Sequence, residues 1–417
     1  MCKDSFRLIF SDEQELIDEF HALLPGEMSD PYPIFTQLRK HLPVFYSELM
    51  DGWVISRWKD VSHVLEDNEQ FEPMEAGSGS SGIYGRTILH MTGEEHRKKS
   101  AILAKRLRNP KKLSGEINDL VKSIVTSHGD QLRRTPESVD LKKNFTSLIP
   151  LEVIGDLMAM QEATAFPDWY HDIVAASVSN VTGDPEIHRR GIAARSELFQ
   201  WLNPAIENKK QCPTQDLFSD LCSLEFESEM LTEEEIKSFC AFLLSAGIET
   251  TDRALVNLFR ELIRYPAEWK KLQSNWELIP SAVAEILRFQ APVQGAVRQT
   301  VKAINLHGAN IAQGGKIMCL LGSANHDSEI FEKPDEFQID RYASNERAQF
   351  TPAGGNRAFG GGSHFCTGSL VAKLEMEESL KYVLRNFSSM EFVGDAPEMK
   401  GFYLRSPESL VVRLHRA

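Results

Sequence analysis

Cysteine is scarce in this chain and shows no pairing. The six cysteines among 417 residues stand at positions 2, 212, 222, 240, 319 and 366. No spacing between them suits a disulfide framework or a zinc site. That excludes the small disulfide-stapled folds and suits a reducing compartment. Long apolar runs are also missing. The opening MCKDSFRLIFSDEQELIDEF is charged throughout, so neither a secretory signal nor a membrane anchor is expected, and a cytoplasmic location is. Basic residues are outnumbered, 46 Lys and Arg against 60 Asp and Glu, for a net charge of −14. That balance argues against a general affinity for nucleic acid. There is no interdomain linker, no internal repeat, and no low-complexity tract beyond GSGSSG at 77–82. Length alone suggests two or three domains, yet 42% apolar content can fill one large core.

What is present concentrates in three segments. Residues 359–368 read FGGGSHFCTG, which sets Cys366 in a glycine-rich loop ahead of a helix-like stretch. Gly360, Gly361 and Gly362 remove side-chain bulk, so the backbone could lie against something planar. Beyond Gly368, apolar Val371, Leu374, Leu380, Val383 and Leu384 alternate with charged Lys373, Glu375, Glu377 and Glu378, an amphipathic helix pattern. A sulfur at a helix start meets backbone N–H groups that favour thiolate.

The second segment opens on Thr232 and Glu235, a capping box. Ile236, Phe239, Leu243, Leu258 and Leu262 then recur at helical spacing until Pro266. About thirty residues at ~1.5 Å each would cross a whole domain. Its middle, AGIETT (246–251), is poor helix material, because Gly247 and the β-branched Thr250 and Thr251 lower propensity. A Thr250 hydroxyl bonded back to the Ala246 carbonyl is expected to open the helix locally, beside Glu249. In the third segment, Ile279, Val283, Ile286 and Leu287 share a stripe, and Glu285 and Arg288 meet three residues apart on that helix. PDEFQIDR (334–341) follows.

Together these segments resemble the cytochrome P450 family. Phe359, Gly362, His364, Cys366 and Gly368 match its F-x-x-G-x-H-x-C-x-G loop, Ala246 to Thr250 its A-G-x-[DE]-T motif, and Glu285, Arg288 and Arg341 its E-x-x-R and P-x-x-F-x-x-x-R segments. The resemblance implies one mainly helical domain over 1–417 with a smaller β region. That is the P450 fold, a triangular helical prism crossed by a long oxygen-binding helix. The implied cofactor is haem b, with Cys366 as the axial thiolate that pushes electron density toward O–O cleavage. His364, Arg298 and His96 would hold the haem edge, with Phe359, Gly360, Gly368, Ala246 and Gly247 around it. Glu249 would relay protons from solvent while Thr250 steadies the reduced oxygen and its water. Glu285, Arg288 and Arg341 would form a buried charge network serving folding and haem retention. One departure is Ser100, four after His96, where the family usually has arginine; Arg97, Lys98 and Lys99 are close. Another is His326, where arginine is common.

The activity so implied is a monooxygenase of soluble bacterial type, monomeric, fed electrons by a ferredoxin or flavodoxin and its reductase. Its acidic partner would dock on residues 97–112, which hold eight basic side chains and no acid; removing those eight from the −14 leaves −22 on the rest. A medium-sized, mostly apolar substrate of secondary metabolism is expected. Its pocket would be lined by the loop around 72–90 with GSGSSG as a lid, and by Phe242, Leu243, Pro292, Val293, Gln294, Phe402 and Tyr403. The rivals are peroxide-driven oxidation, another outcome such as coupling, desaturation or nitration, and a non-catalytic haem or zinc protein. His364-x-Cys366 could give two zinc ligands, but no second pair has suitable spacing. A phosphate cradle fails for want of a following G-K-[ST].

Overall fold

The computed structural model describes residues 13–28, 30–74, 81–134, 138–160, 166–179 and 184–417. Helices dominate it, and the longest is the one the capping box opens. The Glu235 amide donates to Thr232 Oγ1 at 3.3 Å, and the Thr232 amide donates to the Glu235 carboxylate at 2.9 Å. The helix then runs Glu233–Arg264, 32 residues, or ~48 Å, and Pro266 starts the next helix, Pro266–Ser274. This central helix touches Leu148–Leu157, Phe166–Val174, Ile279–Phe289 and Ser369–Asn386. Phe239, Leu244, Leu255 and Phe259 are fully buried along it, each contributing about 1.5–3 kcal/mol of apolar burial. The expected opening at 246–251 does not occur. Thr250 Oγ1 does donate to the Ala246 carbonyl at 2.9 Å, but the main chain stays helical throughout. Packing on several sides outweighs the weak local propensity.

A five-stranded sheet runs in the order Val44–Ser47, Gly52–Ile55, Lys316–Leu320, Gly295–Thr300, Phe71–Glu72. Only the Gly52–Ile55 and Lys316–Leu320 pair is parallel. Helix Tyr32–His41 precedes the first two strands of this sheet, which are Val44–Ser47 and Gly52–Ile55. Phe387–Phe392 and Val411–Arg416 form most of a second sheet with Val139–Asp140.

Helix Ile279–Phe289 is buried on every face, so its charges need internal partners. Arg288 donates through Nε and Nη2 to both Glu285 oxygens at 2.8 Å, and Arg341 Nε donates to Glu285 Oε2 at 3.0 Å. The remaining Arg288 protons reach the carbonyls of Asn325, Pro334 and Glu336. Neighbouring His326 is enclosed as well, hydrogen-bonding Asp335 and the Phe289 carbonyl and stacking on Tyr32 at 3.9 Å between centroids. The helix after Cys366, Ser369–Asn386, buries Val371, Leu380, Val383 and Leu384. Against the amphipathic reading, Glu375 and Glu377 also point inward. Glu377 meets Lys373 at 2.7 Å. Glu375 Oε2 has no partner, and burial pushes its carboxyl up to about 8.

Candidate active site

Cys366 sits between a turn and a helix. Its amide donates to the Phe359 carbonyl at 3.0 Å, which closes the loop on itself. Gly360 and Gly362 carry φ of +75° and +62°, conformations that favour glycine. A Cβ on Gly362 would come within 2.3 Å of the Leu65 carbonyl oxygen, and one on Gly361 within 3.3 Å of Leu65 Cβ. Gly361 and Gly362 therefore serve close packing on helix Trp58–Glu66, rather than only an open planar face. The Cys366 side chain is accessible to solvent although protein closely surrounds it. Burial pushes its thiol above the ordinary range, while the Gly368 and Ser369 N–H groups and the Arg108 charge pull the other way. Arg108 also donates to the Cys366 carbonyl at 3.3 Å and lies 5.7 Å from the Phe365 ring centroid.

Basic groups gather beside this loop. His96 and His364 rings lie 4.0 Å apart, and Arg298 on strand Gly295–Thr300 acts electrostatically on both. Burial, then His96, Arg298 and His90, push the His364 imidazole down to about 3. Burial and then Arg298 lower His96 as well. Among the described residues, no carboxylate appears among the charged groups acting on His96, His364 or Arg298. Of the three basic neighbours of Ser100, two are engaged elsewhere. Lys99 is buried against Glu235, and Arg97 pairs with Glu227 at 2.5 Å.

On the central helix, Phe242, Ala246, Gly247, Glu249 and Thr250 keep partial exposure amid buried neighbours. Phe242, Ala246 and Thr250 share one stripe at i, i+4, i+8. Glu249 is held on two sides. Tyr170 Oη donates to its Oε2 at 2.5 Å, and Arg253, one turn on, pairs with Oε1. Burial would raise its carboxyl, but Arg253, Tyr170 and Lys142 outweigh burial and hold it below its ordinary value. Arg253 in turn donates to Ser406 Oγ at 3.0 Å, where Lys142 also reaches at 3.5 Å.

The sequence profile described as Cytochrome P450 matches residues 27–279 and 273–411. The chain belongs to the cytochrome P450 family. It is 28% identical over 402 residues to pulcherriminic acid synthase of Bacillus subtilis (strain 168), covering 94% of this chain and 97% of that one. Among solved structures it is similar to CYP109E1 from Bacillus megaterium in complex with testosterone, at 25% identity and a TM-score of 0.80 over 92% of this chain and 99% of that one. It is also similar to P450BioI in complex with a hexadec-9Z-enoic acid ligated acyl carrier protein, at 25% identity and a TM-score of 0.83 over 93% and 98%. The fold is the P450 fold, and the enzyme is a P450 monooxygenase using thiolate-ligated haem b. The residues present fit that group: an accessible sulfur receiving two backbone N–H groups, beside two imidazoles and an arginine on which no carboxylate acts among the described residues.

Several sequence expectations move in this P450. A Cβ on Gly247 would strike Ile154 Cδ1 at 2.5 Å, so this glycine serves close approach to helix Leu148–Leu157. Gln294 is 2% exposed and donates to the Ala291 carbonyl at 2.7 Å. With Phe402 it borders a small, largely filled pocket lined by Leu23, Met28 and Phe35. Phe402 packs edge-on against Phe20, while neighbouring Tyr403 is near Arg298 and Tyr84. Leu243 is buried in the main core and Val293 bridges to Leu404. Most of GSGSSG lies outside the described residues. The basic run is less open than its sequence suggests: Arg106 is 3% exposed, pairing with Asp220 and with Glu116 at 2.7 Å. Arg253 was legible as an i+4 partner of Glu249. Tyr170, 79 positions away, gave no local signal.

Proposed function

We propose that Cys366 is the haem ligand of this monooxygenase, and that its loop and the Phe242–Ala246–Thr250 stripe line one cleft. The observation that carries this reading is the accessible Cys366 sulfur beside the Arg298 guanidinium and the imidazoles of His96 and His364, hydrogen-bond donors that answer the two carboxylates on a haem edge. When bound, the haem supplies dioxygen activation and insertion of one oxygen atom into substrate. The Gly368 and Ser369 amides steady the negative sulfur. His364, His96 and Arg298 hold the propionates, a charge-assisted contact of about 1.5–3 kcal/mol each. Thr250 Oγ1, bonded back to Ala246, still offers its lone pairs on the cleft side. Glu249 starts as a carboxylate between Tyr170 and Arg253. It takes up a proton from solvent, leaves Arg253 once neutral, turns toward Thr250 to deliver the proton, and returns as the carboxylate. Lys142, with 19% of its side chain exposed, joins this network to solvent through Ser406.

Electrons come from an external ferredoxin or flavodoxin. Its docking face is centred on Lys105, Arg108, Lys111 and Lys112, each at least partly accessible, and opposite charge speeds that encounter. The substrate is a medium-sized, mostly apolar molecule of secondary metabolism, in line with the similarity to pulcherriminic acid synthase. The protein works in the cytoplasm; no helix among the described residues is long and apolar enough to cross a membrane.

The test is the carbon monoxide difference spectrum of the reduced protein. Wild type gives the strongly red-shifted Soret band of thiolate-bound haem, and Cys366→Ala loses it. Retention of that band in the variant overturns the ligand assignment. Glu249→Gln separates the oxidant: it slows turnover with dioxygen and a reductase chain, and leaves turnover with added hydrogen peroxide unchanged.

A further inference from the structure

Three hydroxyls from distant parts of the chain meet above the accessible stripe of the central helix. Tyr84 Oη lies 2.7 Å from Ser245 Oγ and 2.5 Å from Ser177 Oγ. Tyr84 ends the short helix Ser81–Tyr84, Ser177 lies in the turn Ala175–Ser179 between two helices, and Ser245 precedes Ala246 on the central helix. The Tyr84 ring packs edge-on to Phe242 at 5.9 Å. Arg195 fixes its backbone by donating to the carbonyls of Gly82 and Ile83. Tyr84 and Ser245 are buried, and burial pushes the phenol up to about 12, so it stays protonated.

Donor counting gives this cluster a direction. Each hydroxyl owns one hydrogen and two acceptor lone pairs. Two contacts among three hydroxyls use two hydrogens and leave one. Among the described residues Ser177 and Ser245 make no other hydrogen bond, although serines 196, 223 and 379 do donate back to the carbonyl one turn earlier. The spare hydrogen falls to half-buried Ser177 when Tyr84 and Ser245 satisfy each other, and it costs free energy if substrate displaces water there without supplying an acceptor. We infer that Tyr84, Ser177 and Ser245 form a polar subsite for substrates bearing a hydrogen-bond-accepting oxygen, such as a ketone, ester or ether. The inference rests on the haem-site reading above and narrows its substrate class from mostly apolar to apolar with one acceptor oxygen. The rest of the lining, Phe242 and the Tyr84 ring, takes the hydrocarbon part.

The experiment uses haem-loaded protein and probes that anchor on the iron whatever the natural substrate. These are 1-alkylimidazoles from butyl to dodecyl, each with a partner carrying a ketone one carbon from the chain end. Their dissociation constants are read from the Soret shift. At one chain length the ketone probe binds about 5-fold tighter than its plain partner, the worth of one hydrogen bond. Tyr84→Phe and Ser177→Ala each erase that preference while plain-alkyl binding stays within about twofold, a pattern that a merely structural hydroxyl would not give. The subsite is refuted if no chain length shows a ketone preference, or if the preference survives in both variants. Absence of any imidazole-induced shift takes the haem-site reading down with it, a result distinct from loss of discrimination alone.

Discussion

The cluster around Glu285 and the cluster around His364 both keep basic side chains out of water, but they balance charge in opposite ways. Arg288 is fully enclosed and has an acid of its own, Glu285, plus three carbonyls. Arg341 completes it. By contrast His96, His364 and Arg298 are lowered by burial first, Arg298 lowers both imidazoles further, and no carboxylate acts on them among the described residues. A network finished by the chain itself is structural. One with an enclosed arginine and two imidazoles but no acid is arranged for something that the chain does not supply, and that contrast separates scaffold from binding site.

Glu285→Ala should break the finished network most severely. It leaves two enclosed cations without their acid, at a cost of about 3–5 kcal/mol, visible as insoluble protein or a strongly lowered denaturation midpoint. Arg298→Ala tests the other cluster. Losing a buried cation that has no acid beside it leaves the haem-free midpoint unchanged or slightly raised. Haem transfer to apomyoglobin then speeds up about 10-fold, the worth of one charge-assisted contact. An equal loss of fold stability in both variants would erase the distinction.

A smaller effect should come from pH. His96 is held below its ordinary 6.5, by burial and then Arg298. Below that value the unfolded chain binds a proton that the folded chain resists, so the stability of the haem-free protein falls as pH drops through 6.5. His96→Asn flattens that part of the stability curve in urea titrations, and bound haem, whose propionates supply the missing anions, does the same. The smallest change concerns docking. Lys105→Glu slows reduction by ferredoxin about 3-fold at low salt and loses its effect at high salt, as a screened surface charge must. Arg106→Glu instead destabilises the fold, since Arg106 is enclosed between Asp220 and Glu116.

The motifs were legible because their chemistry is local. A capping box needs residues three apart, a helix stripe needs its period, and a glycine loop followed by a helix is readable within ten positions. Accordingly the central helix began and ended where Thr232 and Pro266 set it. The reading went astray where neighbours in space decide. Weak propensity at 246–251 did not open a helix packed on several sides. Glu375 and Glu377 read as a solvated face and are buried, because helix Ser369–Asn386 is covered by Glu116–Arg134 as well as by the central helix. Eight basic residues read as one surface, yet Lys99 and Arg106 turn inward to acids more than a hundred positions away.

Sequence alone determined the family, its haem and the positions from which catalysis is expected, since each motif is a short run whose spacing carries its chemistry. Only the tertiary structure decided which charges are enclosed, what holds Glu249, and where Gln294 and Phe402 point. Those outcomes depend on side chains that arrive from remote segments, and burial, which sets the cost of every charge, belongs to the packed molecule and not to any stretch of chain.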